Sequence, residues 1–309
     1  MNSVFVDSTI GDDARREGLY AGQLFVYTPV PSAVALVELA RELIADAFGA
    51  RDPELAQHEM PVEDYAALLA VLKPKFIHHP RAKEAIRGIL RELRCDLTKT
   101  YFDVPRMRTA TSENYLTSGI AYAFHPHRDT WYSAPLCQIN WWLPIFDIQP
   151  SNAMAFHPRY WNQPVRNGSR EYNYDEWNRT SRQEAAKHIK TDTRVQPKPE
   201  EPLELDPQIR LLPPVSGIIL FSGAQLHSTV PNDSGRTRFS IDFRTVHVGD
   251  VVAHQGAPNL DSECTGTTMR DYLRGTDLAR IPEDVCQTYE HGTPVVGTSA
   301  LSCQLTTAR

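Results

Sequence analysis

Paired cysteines are the first feature that this sequence of 309 residues lacks. The cysteines are odd in number and scattered, and none forms a CxxC pair: Cys95, Cys137, Cys264, Cys286 and Cys303. A disulfide framework or a structural zinc knuckle needs regularly or closely spaced cysteines, so we expect neither. This cysteine usage is typical of a reducing compartment.

Long apolar runs and an excess of basic residues are also lacking. No apolar run approaches the roughly 18 residues that a membrane-spanning helix needs, and Met1–Asp13 has no basic-then-apolar pattern of a signal peptide. The formal net charge is −6, which gives no basic footprint for nucleic acid. We therefore expect a cytoplasmic protein with neither a membrane nor a nucleic acid as partner, and nothing in the sequence indicates its oligomeric state.

The composition that is present predicts a packed core, because hydrophobic residues make up 41% and charged residues 23% of the chain. Helical periodicity is confined to the first third. It predicts helices over Ala33–Phe48, with Ser32 as N-cap, over Val62–Leu72, ended by Pro74, and over Pro80–Arg94.

Short strands dominate after residue 100, following an early strand at Leu24–Tyr27. The pattern predicts strands over Thr100–Val104, Met107–Thr111, Leu136–Phe146, Ala153–Phe156, Val215–Phe221, Leu226–Val230 and Thr237–Val246. Helices followed by many short strands indicate an α+β chain centred on a β-sandwich or barrel. We expect a double-stranded β-helix (jelly-roll, cupin-like) core with the N-terminal helices packed on one sheet.

This organisation predicts a single domain over residues 1–309. A mainly helical part covers 1–99, the jelly-roll core covers 100–250, and a C-terminal extension over 251–309 looks helical only at Met269–Leu278. The segment 157–214 has no sustained periodicity. A loop of this length inside a domain is typically a lid or a binding loop, and a surface insertion is the alternative.

The chemistry begins with the HxD motif of His127 and Asp129. Residues two apart in a strand point to the same face, so an imidazole and a carboxylate can share one divalent ion. The motif alone is common by chance. About a hundred residues later, His227 lies in an apolar strand setting. Two histidines and one carboxylate on a β scaffold form the facial triad of non-haem iron(II) oxygenases, which leaves ligand positions open.

An arginine and a serine, two residues apart, follow His227 on the next predicted strand. Arg238 and Ser240 share one face of the strand after His227. A guanidinium matches a carboxylate in shape, and a hydroxyl adds a further hydrogen bond. A buried arginine must be paired, so this pair predicts an anionic ligand.

The whole pattern resembles the Fe(II)/2-oxoglutarate-dependent dioxygenases, and in style their phytanoyl-CoA-hydroxylase-like branch. The resemblance covers roughly residues 120–247. It consists of the HxD motif, the Gly-led apolar strand, the Leu-His pair that carries the last ligand, the Pro-Asn turn and the following arginine. The chain departs from the family at Asn152–Pro158, where members often carry a Gly-Ser-His turn.

This resemblance implies that His127, Asp129 and His227 hold Fe(II) and act as the catalytic centre. It implies that Arg238, with Ser240, binds the distal carboxylate of 2-oxoglutarate, which is decarboxylated to succinate as O2 is used to oxidise a substrate C–H bond. Hydroxylation, desaturation and ring closure all remain open outcomes. Asp129 argues against the halogenating members, which have a small residue there.

Several other polar residues could share this site. Gln138 and Asn140 lie on one face of an apolar strand and need partners, of which the co-substrate is one possibility. His125 could touch the metal or orient substrate, and Arg236 and Arg244 compete with Arg238. Aromatic and arginine side chains of 157–214 could close over a polar metabolite. These are Tyr160, Trp161, Arg166, Arg170, Tyr172, Tyr174 and Trp177.

The sequence thus predicts an oxygenase that acts on a small polar metabolite or natural-product intermediate. Two alternatives stay open. One is a cupin-type metal-dependent isomerase or lyase that does not use 2-oxoglutarate and would not need Arg238. The other is a non-enzymatic cupin-like binding protein, against which the intact triad argues.

Overall fold

A computed structural model of the chain describes residues 3–118, 125–181, 188, 191 and 194–289. Strands and helices alternate at its start. They are β1 (Val4–Val6), α1 (Asp12–Tyr20), β2 (Leu24–Tyr27), α2 (Pro31–Phe48), α3 (Val62–Ile77) and α4 (Pro80–Glu92).

Short strands then predominate, joined by 3-10 turns. They are β3 (Thr100–Phe102), β4 (Arg106–Ala110), β5 (Ile139–Pro144), β6 (Met154–Phe156), β7 (Ile209–Arg210), β8 (Ile218–Ser222), β9 (His227–Thr229), β10 (Arg238–His247) and β11 (Leu273–Arg274). Three short helices interrupt them: α5 (Tyr174–Thr180), α6 (Val248–Val252) and α7 (Glu283–Gln287).

Two sheets organise these strands. The larger has eight strands in the order β1-β2-β8-β5-β10-β3-β11, with β4 also paired to β10. Only the β1–β2 pairing is parallel among these described pairings, so the sheet is mixed. The smaller sheet is antiparallel, in the order β7-β6-β9. A mixed α/β architecture around a large mixed sheet is therefore confirmed.

The long β10 strand shows how the two faces of the large sheet differ. Successive side chains point to opposite faces. Phe239, Ile241 and Phe243 are fully buried in the main hydrophobic cluster, which includes residues of α2, α3 and α4. The alternate residues, from Arg238 to Arg244, point the other way. The N-terminal helices thus cover one face of the sheet, as predicted.

The opposite face of the large sheet meets the small sheet. Trp142, Ile219 and Phe221 of the large sheet form one cluster with Met154 and Phe156 of the small sheet. Polar side chains of β5 and β10 share this space with the cluster. A site built on this face therefore lies between two sheets.

The three predicted N-terminal helices and the predicted strands are confirmed in type, with shifted ends. The predicted end of α3 and the predicted N-cap of α2 were wrong. Helix α3 continues through Pro74 to Ile77. Lys73 and the fully buried Phe76 pack inward, and this packing outweighs the one backbone hydrogen bond that proline cannot form. Helix α2 has Val30 as N-cap and Pro31 at its first position. Ser32, the predicted N-cap, lies inside the helix and hydrogen-bonds Glu92.

The C-terminal part also differs from expectation. The predicted helix over Met269–Leu278 is wrong: a 3-10 turn covers Met269–Asp271, and β11 follows. Backbone pairing with β3 competes successfully with helix formation here. Residues 290–309 of the predicted extension, and Cys303 with them, lie outside the described residues. Among the described residues, Cys95, Cys137 and Cys264 are free thiols. Within the described ranges, no helix has the length and apolar character to cross a bilayer.

Adjacent residues of α3 allow the packing of this helix to be tested. Leu72 is 1% exposed and Val71 is 59% exposed. We expect Leu72→Ala to lower the free energy of unfolding by about 2–5 kcal/mol, because it leaves a cavity beneath the helix. Val71→Ala should change it by no more than about 0.5 kcal/mol. Urea unfolding followed by tryptophan fluorescence measures both, and equal losses would contradict the assigned helix face.

Candidate metal centre

Two backbone hydrogen bonds place the candidate histidines side by side. The amide of each of His127 and His227 donates to the carbonyl of the other, at 3.0 Å in both directions. The imidazole centroids are 4.3 Å apart. The bridge is isolated, because Asp129 already begins a 3-10 turn. The HxD motif therefore lies in an isolated bridge followed by a 3-10 turn and not in a regular strand.

The backbone nevertheless brings Asp129 to the same side. Arg128 is extended (φ −110°, ψ 142°), which keeps the strand-like alternation between His127 and Asp129. The amide of Asp129 donates to the Gly223 carbonyl at 2.8 Å. One potential ligand atom from each of His127, Asp129 and His227 lies within 4.8 Å of the others. In the described part of the chain, this is the one such group of three.

Hydrogen bonds orient both imidazole rings. Nδ1 of His127 is 2.8 Å from the His125 carbonyl, and Nδ1 of His227 is 2.9 Å from the Gln225 carbonyl. A carbonyl can only accept, so each Nδ1 carries the proton and donates. In a neutral ring with this tautomer, Nε2 is the nitrogen that can bind a metal. These nitrogens lie 3.4 Å and 4.0 Å from Oδ1 of Asp129.

The carboxylate of Asp129 is oriented through its other oxygen. Oδ2 accepts from Nε2 of Gln138 at 3.0 Å and from Nδ2 of Asn140 at 2.8 Å. These two amides, which the sequence predicts as co-substrate contacts, therefore bond Asp129 in the structure. Their donors occupy Oδ2 and leave Oδ1 facing the two histidines.

The electrostatics favour an ionised Asp129 carboxylate beside a neutral His227 ring. Burial acts to raise the pKa of Asp129, but hydrogen bonds and charge from His127, His227 and Asn140 lower it to about 2. Burial, together with His127, lowers the pKa of His227 to about 4. At neutral pH, Asp129 is thus ionised and His227 is neutral, which are the states that bind a metal ion.

A buried ion pair anchors the loop that carries the HxD motif. Nε of Arg128 is 3.0 Å from Oδ2 of Asp261, and both side chains are almost fully buried. The remaining guanidinium donors bond the carbonyls of Ala224, Tyr160 and Gln163. The sequence alone does not reveal this pair. Arg128, the charged residue inside the motif, was the one local signal of the pair. Asp261 is too distant in sequence to be recognised as its partner.

The three residues open into a cavity between the sheets, with about 640 Å³ of atom-free space that includes open solvent. Arg238 lines this cavity. Its donors reach the Asn152 carbonyl at 2.9 Å and Oγ1 of Thr229 at 3.5 Å, and its guanidinium lies 5.6 Å from the Trp142 ring centroid. Nε of Arg238 and Oγ of Ser240 are buried and have no hydrogen-bond partner among the described residues.

The other arginines of this region already have carboxylate partners. Arg244 bonds Asp103 at 2.8 Å, and Arg108 makes two hydrogen bonds to Asp242. Both arginines line the cavity. Arg236 bonds Glu54 near the surface and does not line it. No ion pair joins Arg238 to a carboxylate within the described ranges. Burial lowers the pKa of Arg238 to about 10, so it stays cationic at neutral pH.

The remaining candidate residues lie outside the cluster or the cavity wall. Nε2 of His125 is 2.8 Å from the Pro197 carbonyl, and His125 is not in the three-residue group. The proposed covering side chains of 157–214 bond elsewhere: Tyr160 to Glu204, Arg170 to Glu200 and Tyr174 to Asp271. None of the seven is among the cavity-lining residues that the structure describes. Residues 182–187, 189, 190, 192 and 193 of this segment lie outside the described ranges.

Among known proteins, the chain finds its matches in solved structures. No family model and no curated protein matches the chain. Among solved structures, it is similar to EvdO2 from Micromonospora carbonacea var. aurantiaca complexed with 2-oxoglutarate (13% identity, 78% of this chain and 92% of that chain, TM-score 0.43). It is also similar to AviO1 from Streptomyces viridochromogenes Tue57 (12% identity, 77% and 96%, TM-score 0.38).

A third match is the non-heme alpha ketoglutarate dependent epimerase SnoN from nogalamycin biosynthesis (15% identity, 76% of this chain and 82% of that chain, TM-score 0.37). TM-scores below 0.5 at such low identities do not identify an activity, so the function must be inferred from the side chains of the site. The narrower resemblance to the phytanoyl-CoA-hydroxylase-like branch stays a prediction.

The anchoring ion pair can be tested by an isosteric change. Asp261→Asn leaves the buried Arg128 without its counter-ion, and we expect the free energy of unfolding to fall by about 3–5 kcal/mol. Glu42→Gln is the control, because the Glu42–Arg81 pair is more than half exposed and its loss should be barely measurable. Chemical unfolding compares them, and a small loss for Asp261→Asn would show that Arg128 does not depend on this partner.

Proposed function

We propose that this protein is a non-haem Fe(II)/2-oxoglutarate-dependent oxygenase that oxidises a C–H bond of a small polar metabolite. The observation that carries the proposal is Arg238. It is a buried cation without a carboxylate partner among the described residues, and it lines the same cavity as the His127–Asp129–His227 group. A desolvated guanidinium is costly unless a ligand pairs with it.

The three donor residues fit ferrous iron. Two neutral imidazoles and one carboxylate are the ligand set of the facial triad, which leaves the rest of the coordination sphere to ligands from solution. We assign Nε2 of His127, Nε2 of His227 and Oδ1 of Asp129 as the metal-binding atoms. The backbone carbonyls behind each ring and the two amides on Asp129 hold these atoms in place before any metal binds.

Arg238 and Ser240 fit the co-substrate. The unpartnered Nε of Arg238 and Oγ of Ser240 can donate to one carboxylate, and no described acidic side chain forms an ion pair or hydrogen bond with Arg238. A dicarboxylate such as 2-oxoglutarate has one carboxylate for this pair and a 2-oxo acid end for the metal. When bound, iron and 2-oxoglutarate together supply the O2-dependent oxidation of a C–H bond, with succinate and carbon dioxide as by-products.

The substrate class follows from the rest of the cavity. Trp142, Met154 and Phe221 form an apolar side, while Arg108 and Asp242 form a charged side that is partly exposed. Because these charges are already paired, the wall offers both donors and acceptors and no large net charge. We infer a polar substrate with both hydrogen-bonding and hydrocarbon parts.

The two facing sheets are, in this proposal, a double-stranded β-helix.

The metal assignment is tested first. Asp129→Ala should abolish succinate formation from 2-oxoglutarate in the presence of Fe(II), ascorbate and air, because two imidazoles alone bind iron weakly and without the balancing charge. His127→Ala should have the same effect. His125→Ala, beside the motif but bonded to Pro197, is the matched control and should retain most activity. Unchanged succinate formation in Asp129→Ala would refute the assignment.

The co-substrate assignment has its own test. Arg238→Ala should raise the KM for 2-oxoglutarate by about 10- to 100-fold, because hydrogen bonds to charged groups contribute about 1.5–3 kcal/mol and 1.4 kcal/mol is tenfold. Arg236→Ala, two residues away and bonded to Glu54, should leave the KM unchanged. A wild-type protein that binds iron but never forms succinate would instead favour a metal-dependent isomerase or lyase.

A further inference from the structure

We propose that Tyr272 is a positioning residue for the metal ligand Asp129, acting through Gln138. This inference rests on the proposed metal site. The chain of contacts has two steps: the Tyr272 hydroxyl donates to Oε1 of Gln138 at 2.7 Å, and Nε2 of Gln138 donates to Oδ2 of Asp129 at 3.0 Å. Tyr272 comes from a segment that the sequence analysis left without a role.

Burial gives these two contacts their importance. Gln138 is 0% exposed and Tyr272 is 1% exposed, so water cannot replace either partner. Tyr272 is the hydrogen-bond partner that the structure gives Oε1 of Gln138. A buried amide oxygen without a partner costs about 1–3 kcal/mol, so losing the hydroxyl favours movement of the whole amide group.

The amide can take only one orientation beside Asp129. An ionised carboxylate accepts and cannot donate, so the NH2 end of Gln138 must face Oδ2 and the carbonyl end must face Tyr272. The same NH2 group also donates to Oδ1 of Asn140 at 2.9 Å, and Asn140 in turn donates to Oδ2. Tyr272 thereby completes a network in which every described polar atom of both amides facing Asp129 has a partner.

The consequence concerns which oxygen of Asp129 a metal can use. With two N–H donors on Oδ2, the carboxylate offers Oδ1 alone toward Nε2 of His127 and His227. A carboxylate free to rotate could present both oxygens and occupy an additional coordination position. The network therefore keeps that position available for the co-substrate or O2.

Tyr272 is itself held rigidly. Its ring packs in a cluster with Tyr101, Cys137 and Met269, and the next residue, Leu273, pairs with Phe102 of β3. The segment from Asp261 to Tyr272 contacts the loop of the HxD motif at two other points. Asp261 pairs with Arg128, and Ser262 donates to the Thr130 carbonyl. This segment thus packs against the loop that carries Asp129, and Tyr272 contacts the Gln138 amide that donates to Asp129.

The experiment measures metal affinity without turnover. Apo protein is titrated with Co(II), and binding is followed by calorimetry and by visible absorption. Tyr272→Phe, which keeps the ring, should weaken Co(II) binding about tenfold, at the low end of the range for groups behind metal ligands, because Asn140 still donates to Asp129. Tyr289→Phe is the matched control: this buried tyrosine of the same cluster donates to the Val251 carbonyl, and its loss should not change Co(II) affinity.

A double-mutant cycle distinguishes positioning from general loosening. Gln138→Met should weaken Co(II) binding by itself, and Tyr272→Phe should cost nothing further in that background. Equal Co(II) affinity of Tyr272→Phe and wild type would overturn the proposal, as would an undiminished effect of Tyr272→Phe in the Gln138→Met protein. Absence of Co(II) binding by the wild type would instead refute the proposed metal site itself.

Discussion

The reciprocal backbone hydrogen bonds between His127 and His227 are the contact on which the site depends. They join a loop near the middle of the chain to β9, and a bridge of this kind fixes the separation of the two side chains. Because the Nδ1 atoms bond carbonyls two residues earlier in each segment, the same backbone also fixes the ring orientations. One local pairing thereby determines the position of both rings and, in the neutral imidazole, which nitrogen faces Asp129.

Desolvation is the constraint that explains the surrounding charges. A buried charge needs a partner, and the arginines near the site differ in the partner that they have. Arg128 has Asp261, Arg244 has Asp103, and Arg108 has Asp242. Arg238 has only neutral acceptors among the described residues. Because Arg238 has no carboxylate among these contacts, the proposed function assigns it an anionic ligand.

The sequence predicted the three donor residues because each carries a local signal. His127 and Asp129 are two residues apart, and His227 interrupts an apolar strand, so the residue types alone suggested one site. The roles of Gln138 and Asn140 could not be read in this way. Period-two alternation shows that they share a face, but which group they meet depends on the loop that carries Asp129, and that loop is not a regular strand.

Long-range partners were beyond the sequence for a related reason. Asp261 and Tyr272 belong to a segment with little periodic structure, and their partners lie over a hundred residues away. Likewise, Arg238 and Arg244 lie on one face of β10 and look alike in sequence, but Arg244 bonds Asp103. Arg108 pairs with Ser240, two positions from both Arg238 and Asp242, and its guanidinium bonds Asp242. The positions of Asp103 and Asp242 therefore decide which arginine lacks a carboxylate among the described residues, and only the tertiary structure shows them.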